Sequence, residues 1–244
     1  SIRARCFLVS LTRILLSSRK RLHLWEQMHG YEEGLSCSLL GRKGNVTVSV
    51  VPLDAFASCF HESVVQPDNV ESYEVGGKVP TVVLHPSNET EVASALSVAS
   101  EHDLAIVPWG GGTLMGLGNP PLSLDVVMSL SGLDAMVEHQ PNNLTATAQA
   151  GISIARLQDT LAVEGQMLPL DPPLPERATL GGTLAADRRG ISQMFYGELR
   201  HLVLETRVAH PDGTVTKAGG KVVKNVTGYD LNKLYVGSLG TLGI

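Results

Sequence analysis

The residues whose types and spacing best suit chemistry lie in Val107-Pro108-Trp109-Gly110-Gly111-Gly112-Thr113-Leu114-Met115-Gly116-Leu117-Gly118, where five glycines interrupt an apolar run. Glycine admits positive φ and lets backbone approach a ligand, so successive N–H groups can converge on phosphate oxygens, with the Thr113 hydroxyl as a further donor. Taken alone, the same loop also reads as a surface turn. Two more small-residue clusters follow, Ala178-Thr179-Leu180-Gly181-Gly182-Thr183-Leu184-Ala185-Ala186-Asp187 and Val236-Gly237-Ser238-Leu239-Gly240-Thr241-Leu242-Gly243-Ile244. Paired glycines heading an apolar segment suit a helix N-terminus pressed against a ligand, and equally suit tight helix packing. Three separated clusters suggest an elongated ligand touched by backbone at several points, and a dinucleotide cofactor fits. The first loop is neither of the common nucleotide motifs. The third glycine of G-x-G-x-x-G falls on Met115, and no Gly-Lys-Ser/Thr follows.

The elements that must position these clusters follow from periodicity. Asp54 caps a short helix carrying Phe56 and Phe60, and a turn over residues 73–78 leads into the strand Thr81-Val82-Val83-Leu84. Asn88 followed by Glu91 gives a capping-box-like start, and Val92, Ala95, Leu96 and Ala99 recur at helical spacing, so residues 88–102 form an amphipathic helix. Leu104-Ala105-Ile106-Val107 returns to strand. Strand, helix, strand and Gly-rich loop make one βαβ unit, with the loop beyond the carboxyl end of a strand, where such sheets bind ligands.

Further on, residues 122–130, 135–138 and 144–150 read as strands, and Ser153 caps a helix that runs to Glu164 and ends at Gly165. Residues 167–173 are too proline-rich for a central strand and form a structured connection. Residues 202–209 and 215–217 make a hairpin through Pro211-Asp212-Gly213.

Composition excludes several classes. The 244 residues are 43% hydrophobic and 18% charged, enough for one large domain or two lobes. The net charge of −5 hides an asymmetry, because Arg3, Arg5, Arg13, Arg19, Lys20 and Arg21 all precede the first acid, Glu26. Without those six, 13 basic residues face 24 acidic ones, a net of −11, which argues against a nucleic-acid partner. Cys6, Cys37 and Cys59 form no CxxC pair, so no metal site or disulfide framework is expected and a reducing compartment is the default. The apolar stretch from Cys6 to Leu16 is broken by Arg13 and is shorter than the ~20 residues a transmembrane segment needs. Residues 1–25 have the Arg- and Ser-rich, acid-free composition of an organellar transit segment, and residues 1–51 are expected to be a leader or poorly ordered extension.

Jointly the clusters identify a resemblance. Val83-Leu84-His85-Pro86, Pro108-Trp109-Gly110-Gly111-Gly112-Thr113, Ala178-Thr179-Leu180-Gly181-Gly182, Gly228-Tyr229-Asp230-Leu231 and Gly237-Ser238-Leu239-Gly240-Thr241-Leu242-Gly243-Ile244 resemble the FAD-binding PCMH-type family, the flavin domain of vanillyl-alcohol oxidase and p-cresol methylhydroxylase. The resemblance covers residues 53–244. Within the family, the run from Lys221 to Leu231 is similar to that of the FAD-binding E subunit of bacterial glycolate oxidase, as is Leu239 where D-type subunits carry Glu. Arg188-Arg189-Gly190 loosely resembles the same subunit, and Trp109 departs from the family's usual Arg.

The resemblance implies an α+β, two-lobed FAD-binding domain, with one lobe over 52–133, a second over 134–244, and a C-terminal substrate domain missing from the chain. Pro108, Trp109, Gly110, Gly111, Gly112, Thr113, Leu114 and Gly116 would hold the pyrophosphate. Ala178, Thr179, Gly181, Gly182 and Ala185 would line the isoalloxazine and ribityl chain, and Gly240, Thr241, Gly243 and Ile244 would complete the pocket. With no His or Cys between Pro108 and Gly118, the FAD is expected to be non-covalent.

The implied activity is oxidation of a 2-hydroxy acid of glycolate or D-lactate type by hydride transfer to flavin, as in glycolate oxidase, with flavoprotein and iron–sulfur subunits as partners. The implied setting is the cytoplasm, at a membrane through those subunits or after organellar import. The alternatives are a non-catalytic FAD-carrying or assembly subunit, and an NADPH-dependent flavin reductase on the same fold. Lys221 and Lys224 can place charge near the flavin or form a solvated face, and Tyr229 can bond cofactor or bridge core and surface. His85, His139 and His201 read as structural, and Arg188 and Arg189 as a surface pair. No catalytic base is assigned.

Overall fold

Val82-Val83-Leu84 and Val126-Val127-Met128 are short β-branched and apolar runs of the kind that only a strand covered on both faces can bury. The computed structural model describes residues 51–60, 65–66, 69–188, 190–220 and 230–244, and those from Val51 onward belong to one compact unit. Its elements in chain order begin with α1 (Leu53–Cys59), β1 (Val65–Gln66), β2 (Val82–Leu84), α2 (Glu89–Glu101), β3 (Ile106–Trp109) and β4 (Val126–Ser129). They continue with β5 (Met136–Gln140), β6 (Thr145–Ala148), α3 (Ile154–Ala162), α4 (Leu180–Ala185), α5 (Gln193–Tyr196), β7 (Glu205–Ala209), β8 (Val215–Gly219) and α6 (Asn232–Tyr235).

The main sheet has the order β1-β2-β4-β3, with β2 and β3 each parallel to β4. The strands on either side of α2 are therefore not neighbours, and β4 is inserted between them. All four β4 residues are buried, so the strand with least to offer water takes the central place. The edge falls to β3, which accommodates Pro108.

That ladder also moves β3 two residues later than the periodicity predicts. Pro108 pairs with Met128 and Trp109 with Ser129, while the Leu104 N–H is used by Ala99 O in leaving α2. The strand runs up to the first glycine and aims the loop from the sheet's carboxyl edge.

Helix α2 covers one face of this sheet. Asn88 Oδ1 accepts from Glu91 N at 3.0 Å, and Glu91 Oε2 accepts from the backbone N–H of Ser87 at 2.7 Å, a reciprocal cap set one residue earlier than a standard capping box. Val92, Ala95, Leu96 and Ala99 are buried against Val82, Leu84, Ile106, Val126 and Met128. Each fully buried Val or Leu contributes about 1.5–3 kcal/mol. At α1 the expected cap differs, because the helix starts at Leu53 with Pro52 in the cap position and Asp54 inside the first turn.

A second core gathers Ala146, Ala148, Ile152, Leu157, Leu161, Leu168, Leu180 and Leu184 between the antiparallel pair β5–β6 and helices α3 and α4. Ser153 Oγ caps α3 by accepting from Arg156 N at 3.2 Å, and Gly165 at φ +66° ends the turn that follows it. The proline-rich connection is held by Gln158, whose Oε1 accepts from Leu168 N at 2.9 Å. Strands β7 and β8 form the expected hairpin, with Gly213 at φ +80° and Asp212 Oδ1 accepting from Thr214 N at 2.9 Å.

Candidate functional site: a glycine-loop cavity

The first glycine cluster leaves β3 and folds over its own last residue. Trp109 packs edge-on against Tyr73 at 5.0 Å, and a Cβ on Gly112, which has φ +66°, would meet the Trp109 ring at 2.5 Å. The loop thus rests on an aromatic floor, which is the role the sequence leaves open for Trp109.

Its other flank meets the second cluster. A Cβ on Gly110 would lie 2.3 Å from Thr179 Oγ1, and one on Gly111 would lie 1.7 Å from the Arg177 carbonyl oxygen. Gly111 is required by close approach of the Arg177 backbone, and Gly110 by the Thr179 side chain. At Gly116 nothing lies within 4 Å.

The loop's backbone N–H groups over residues 111–116 donate to no acceptor among the described residues. A row of unpaired donors beside a cavity is what an anion's oxygens satisfy.

The second cluster spends its donors differently. Thr179 caps α4 by accepting from Gly182 N at 3.2 Å, while Leu180 N donates to Ile152 O at 2.9 Å and Gly181 N to Ala150 O at 2.8 Å. The expected helix N-terminus open to a ligand is therefore closed by the protein itself. The helix instead turns a side of small residues, Gly182, Ala185 and Ala186, toward the cavity. A flat group can lie against such a face because no long side chain projects from it.

The third cluster divides. Leu239 N donates to Ala185 O at 2.7 Å and its side chain joins Thr241 on the cavity wall. Leu239 stands at φ +51°, a conformation that costs a branched residue, held by that bond. Ile244 is fully buried and exchanges backbone bonds with Ala209, and a Cβ on Gly243 would meet Val208 Cγ1 at 2.2 Å. Both pack against β7.

The cavity enclosed is about 270 Å³. Of the residues singled out in the sequence, it brings together Pro108, Gly110, Gly111, Gly112, Thr113, Leu114, Thr179, Gly182, Ala185 and Thr241. Trp109, Gly116, Ala178, Gly181, Gly240, Gly243 and Ile244 are not on its wall.

The wall also takes Met115 and Leu117 from the loop itself, Asn119 and Pro121 just after it, and Val75 and Leu239, which are distant in sequence and are brought to it by the fold. Arg177, adjacent to the cavity wall, was also missed, and its position directly before Ala178 was the available signal. No acidic, basic or His side chain lines the cavity among the described residues. His85 sits edge-on to Tyr73, with burial lowering its pKa, and His139 bonds Gln166 Oε1 at 3.0 Å. His201 is exposed, as is Arg188, whose backbone N–H donates to Thr183 O. Lys221, Lys224, Tyr229, Arg189, Cys6, Cys37 and residues 1–50 lie outside the described residues. Among the described residues, no helix is long and apolar enough to cross a membrane, and no cluster of His, Cys, Asp or Glu has metal-site grouping.

Fold and site together define an α+β domain that offers a dinucleotide a neutral cradle of backbone donors, a small-residue wall and an apolar rim. The residues present fit the pyrophosphate of FAD, since the donors over 111–116 have no acceptor among the described residues. Comparison with known proteins supports FAD as the cofactor. The family described as FAD binding domain matches residues 80–219.

Glycolate oxidase subunit GlcD of Bacillus subtilis is 35% identical over 166 residues, covering 68% of this chain and 35% of that protein. D-lactate dehydrogenase of Archaeoglobus fulgidus is 35% identical over 163 residues, 67% of this chain and 36% of that one. The mitochondrial D-2-hydroxyglutarate dehydrogenase of Bos taurus is 32% identical over 179 residues, 73% of this chain and 33% of that one. The chain spans about a third of the length of these curated relatives.

Among solved structures, an alkyldihydroxyacetonephosphate synthase superposes with TM-score 0.68 at 23% identity, over 79% of this chain and 38% of that one. The glucose dehydrogenase Phl p 4.0202 does so with TM-score 0.62 at 15% identity, over 79% and 42%. These two likenesses show the fold. The chain belongs to the FAD-binding domain family and has the FAD-binding PCMH-type fold.

Proposed function

We propose that this chain is the flavin-binding part of an oxidoreductase acting on a 2-hydroxy acid of the glycolate or D-lactate class. The observation that carries the reading is the agreement of relatives named for glycolate, D-lactate and D-2-hydroxyglutarate, all 2-hydroxy acids. Bound FAD supplies a hydride acceptor for the substrate carbon.

The chain's own residues bind and orient. Pro108, Trp109, Gly110, Gly111, Gly112, Thr113, Leu114 and Gly116 form the pyrophosphate region through backbone N–H groups, the Thr113 hydroxyl and the aromatic floor. Thr179, Gly182 and Ala185 form the isoalloxazine and ribityl wall, with Ala178 and Gly181 packed behind it, and Gly240, Thr241, Gly243 and Ile244 hold the third segment in place. The apolar rim of Leu117 and Leu239 excludes water beside the cofactor. FAD is held non-covalently between a lobe near 52–133 and one from 134 onward, because the loop has no His or Cys to attach it. Electrons leave through partner flavoprotein and iron–sulfur subunits, as a GlcD-like relative named as a subunit would allow.

The absence of acidic, basic and His side chains from the described cavity wall favours a second reading, a FAD-carrying subunit whose partner performs the chemistry. Anaerobic addition of glycolate, D-lactate or NADPH to the FAD-loaded full chain separates the possibilities. Loss of oxidised-flavin absorbance with a hydroxy acid supports the first reading. An unresponsive flavin supports the carrier, and bleaching by NADPH alone overturns both.

A further inference from the structure

The cavity wall is uncharged among the described residues, yet the cofactor brings a pyrophosphate that stays anionic. The chain beyond residue 25 is itself strongly acidic, with 13 basic against 24 acidic residues. Backbone N–H groups supply only partial charges, so a local cation changes the balance.

Among the described residues, one cation touches the cradle. Arg177 Nη2 donates to Gly111 O at 3.2 Å, from the segment whose own carbonyl packs against Gly111. Arg177 is exposed and makes no ion pair with the described residues, so its charge is not cancelled locally.

We propose that Arg177 is a positioning residue for phosphate binding, acting through the Gly111–Gly112 peptide. In a planar trans peptide the C=O and N–H point in opposite directions. A guanidinium holding the Gly111 oxygen leaves the Gly112 N–H directed away from Arg177, where it joins the unpaired donors of the cradle. A cation at the oxygen end also polarises the peptide, making that N–H a stronger donor to an anion. Gly112 at φ +66° then turns the chain, so that Thr113 and Leu114 follow along the same wall. Arg177 thus sets both the direction and the strength of the first donors that meet the phosphates. The inference rests on the family's FAD assignment.

The test is FAD affinity of the full chain, read by quenching of flavin fluorescence across a salt series, for wild type, Arg177→Lys and Arg177→Gln. Gln removes the charge and keeps a shorter amide side chain, and the site is exposed, so neither variant threatens folding. Arg177→Gln is expected to weaken FAD binding about fivefold at low salt and to flatten the salt dependence. Arg177→Lys should retain the salt dependence. Equal affinity and equal salt dependence for wild type and Arg177→Gln overturn the proposal, as does a loss in both variants with unchanged salt dependence, which would mark a purely mechanical brace. A wild-type chain that binds no FAD at all overturns the cofactor assignment and this proposal with it.

Discussion

The clusters around Gly111 and Gly181 are built from the same residue types and use their backbones in opposite ways. Over residues 111–116 the N–H groups are left without acceptors among the described residues, whereas Leu180, Gly181 and Gly182 give theirs to Ile152 O, Ala150 O and Thr179 Oγ1. The first cluster therefore binds with its backbone, and the second with the side of a helix made flat by small residues. Between them lies the contact of Gly110 and Gly111 with Thr179 and Arg177, which fixes how far apart the two surfaces stand. Glycine density alone does not distinguish the two uses. Where each donor goes does.

The largest effect on this contrast is expected from Gly111→Ala. Its Cβ would sit 1.7 Å from the Arg177 carbonyl, and backbone on both sides must move. A stability loss of about 3 kcal/mol in urea unfolding is expected, together with loss of FAD binding, since the two clusters are forced apart. Native-like stability and affinity in this variant would dissolve the distinction between the clusters.

Thr179→Ala is intermediate. It removes the cap of α4 and the hydroxyl packed beside Gly110, at a cost of about 1 kcal/mol by the same measurement. Gly116→Ala is the smallest. Nothing lies within 4 Å of its added methyl, so stability should stay within about 0.5 kcal/mol of wild type and FAD affinity should be unchanged. A large loss there would mean that glycine at this position serves the ligand directly.

Much of this was legible in residue order. The cap at Asn88, the helix through Val92 and Ala99, the Ser153 cap and the Pro211-Asp212-Gly213 turn are local events, set by hydrogen bonds and φ preferences within a few residues, and each is found where its residues predict. The flavin-domain class was legible too, because three glycine clusters in a set order are a linear pattern.

Other features depended on partners far away in the chain. Strand β4 enters between β2 and β3, and β3 extends to Trp109, because the pairing with Met128 and Ser129 decides its length. The α4 N-terminus is closed to ligands by carbonyls of residues 150 and 152. Trp109 becomes a floor only once Tyr73 and Gly112 enclose it, and Arg177 reaches Gly111 across 66 residues of sequence. The sequence by itself determined which segments would be strand, helix or anion-friendly loop, since those follow from side-chain period and backbone freedom. Which donors stay free for a ligand was decided by tertiary structure alone, because a hydrogen bond is satisfied by whatever acceptor folding brings within about 3 Å.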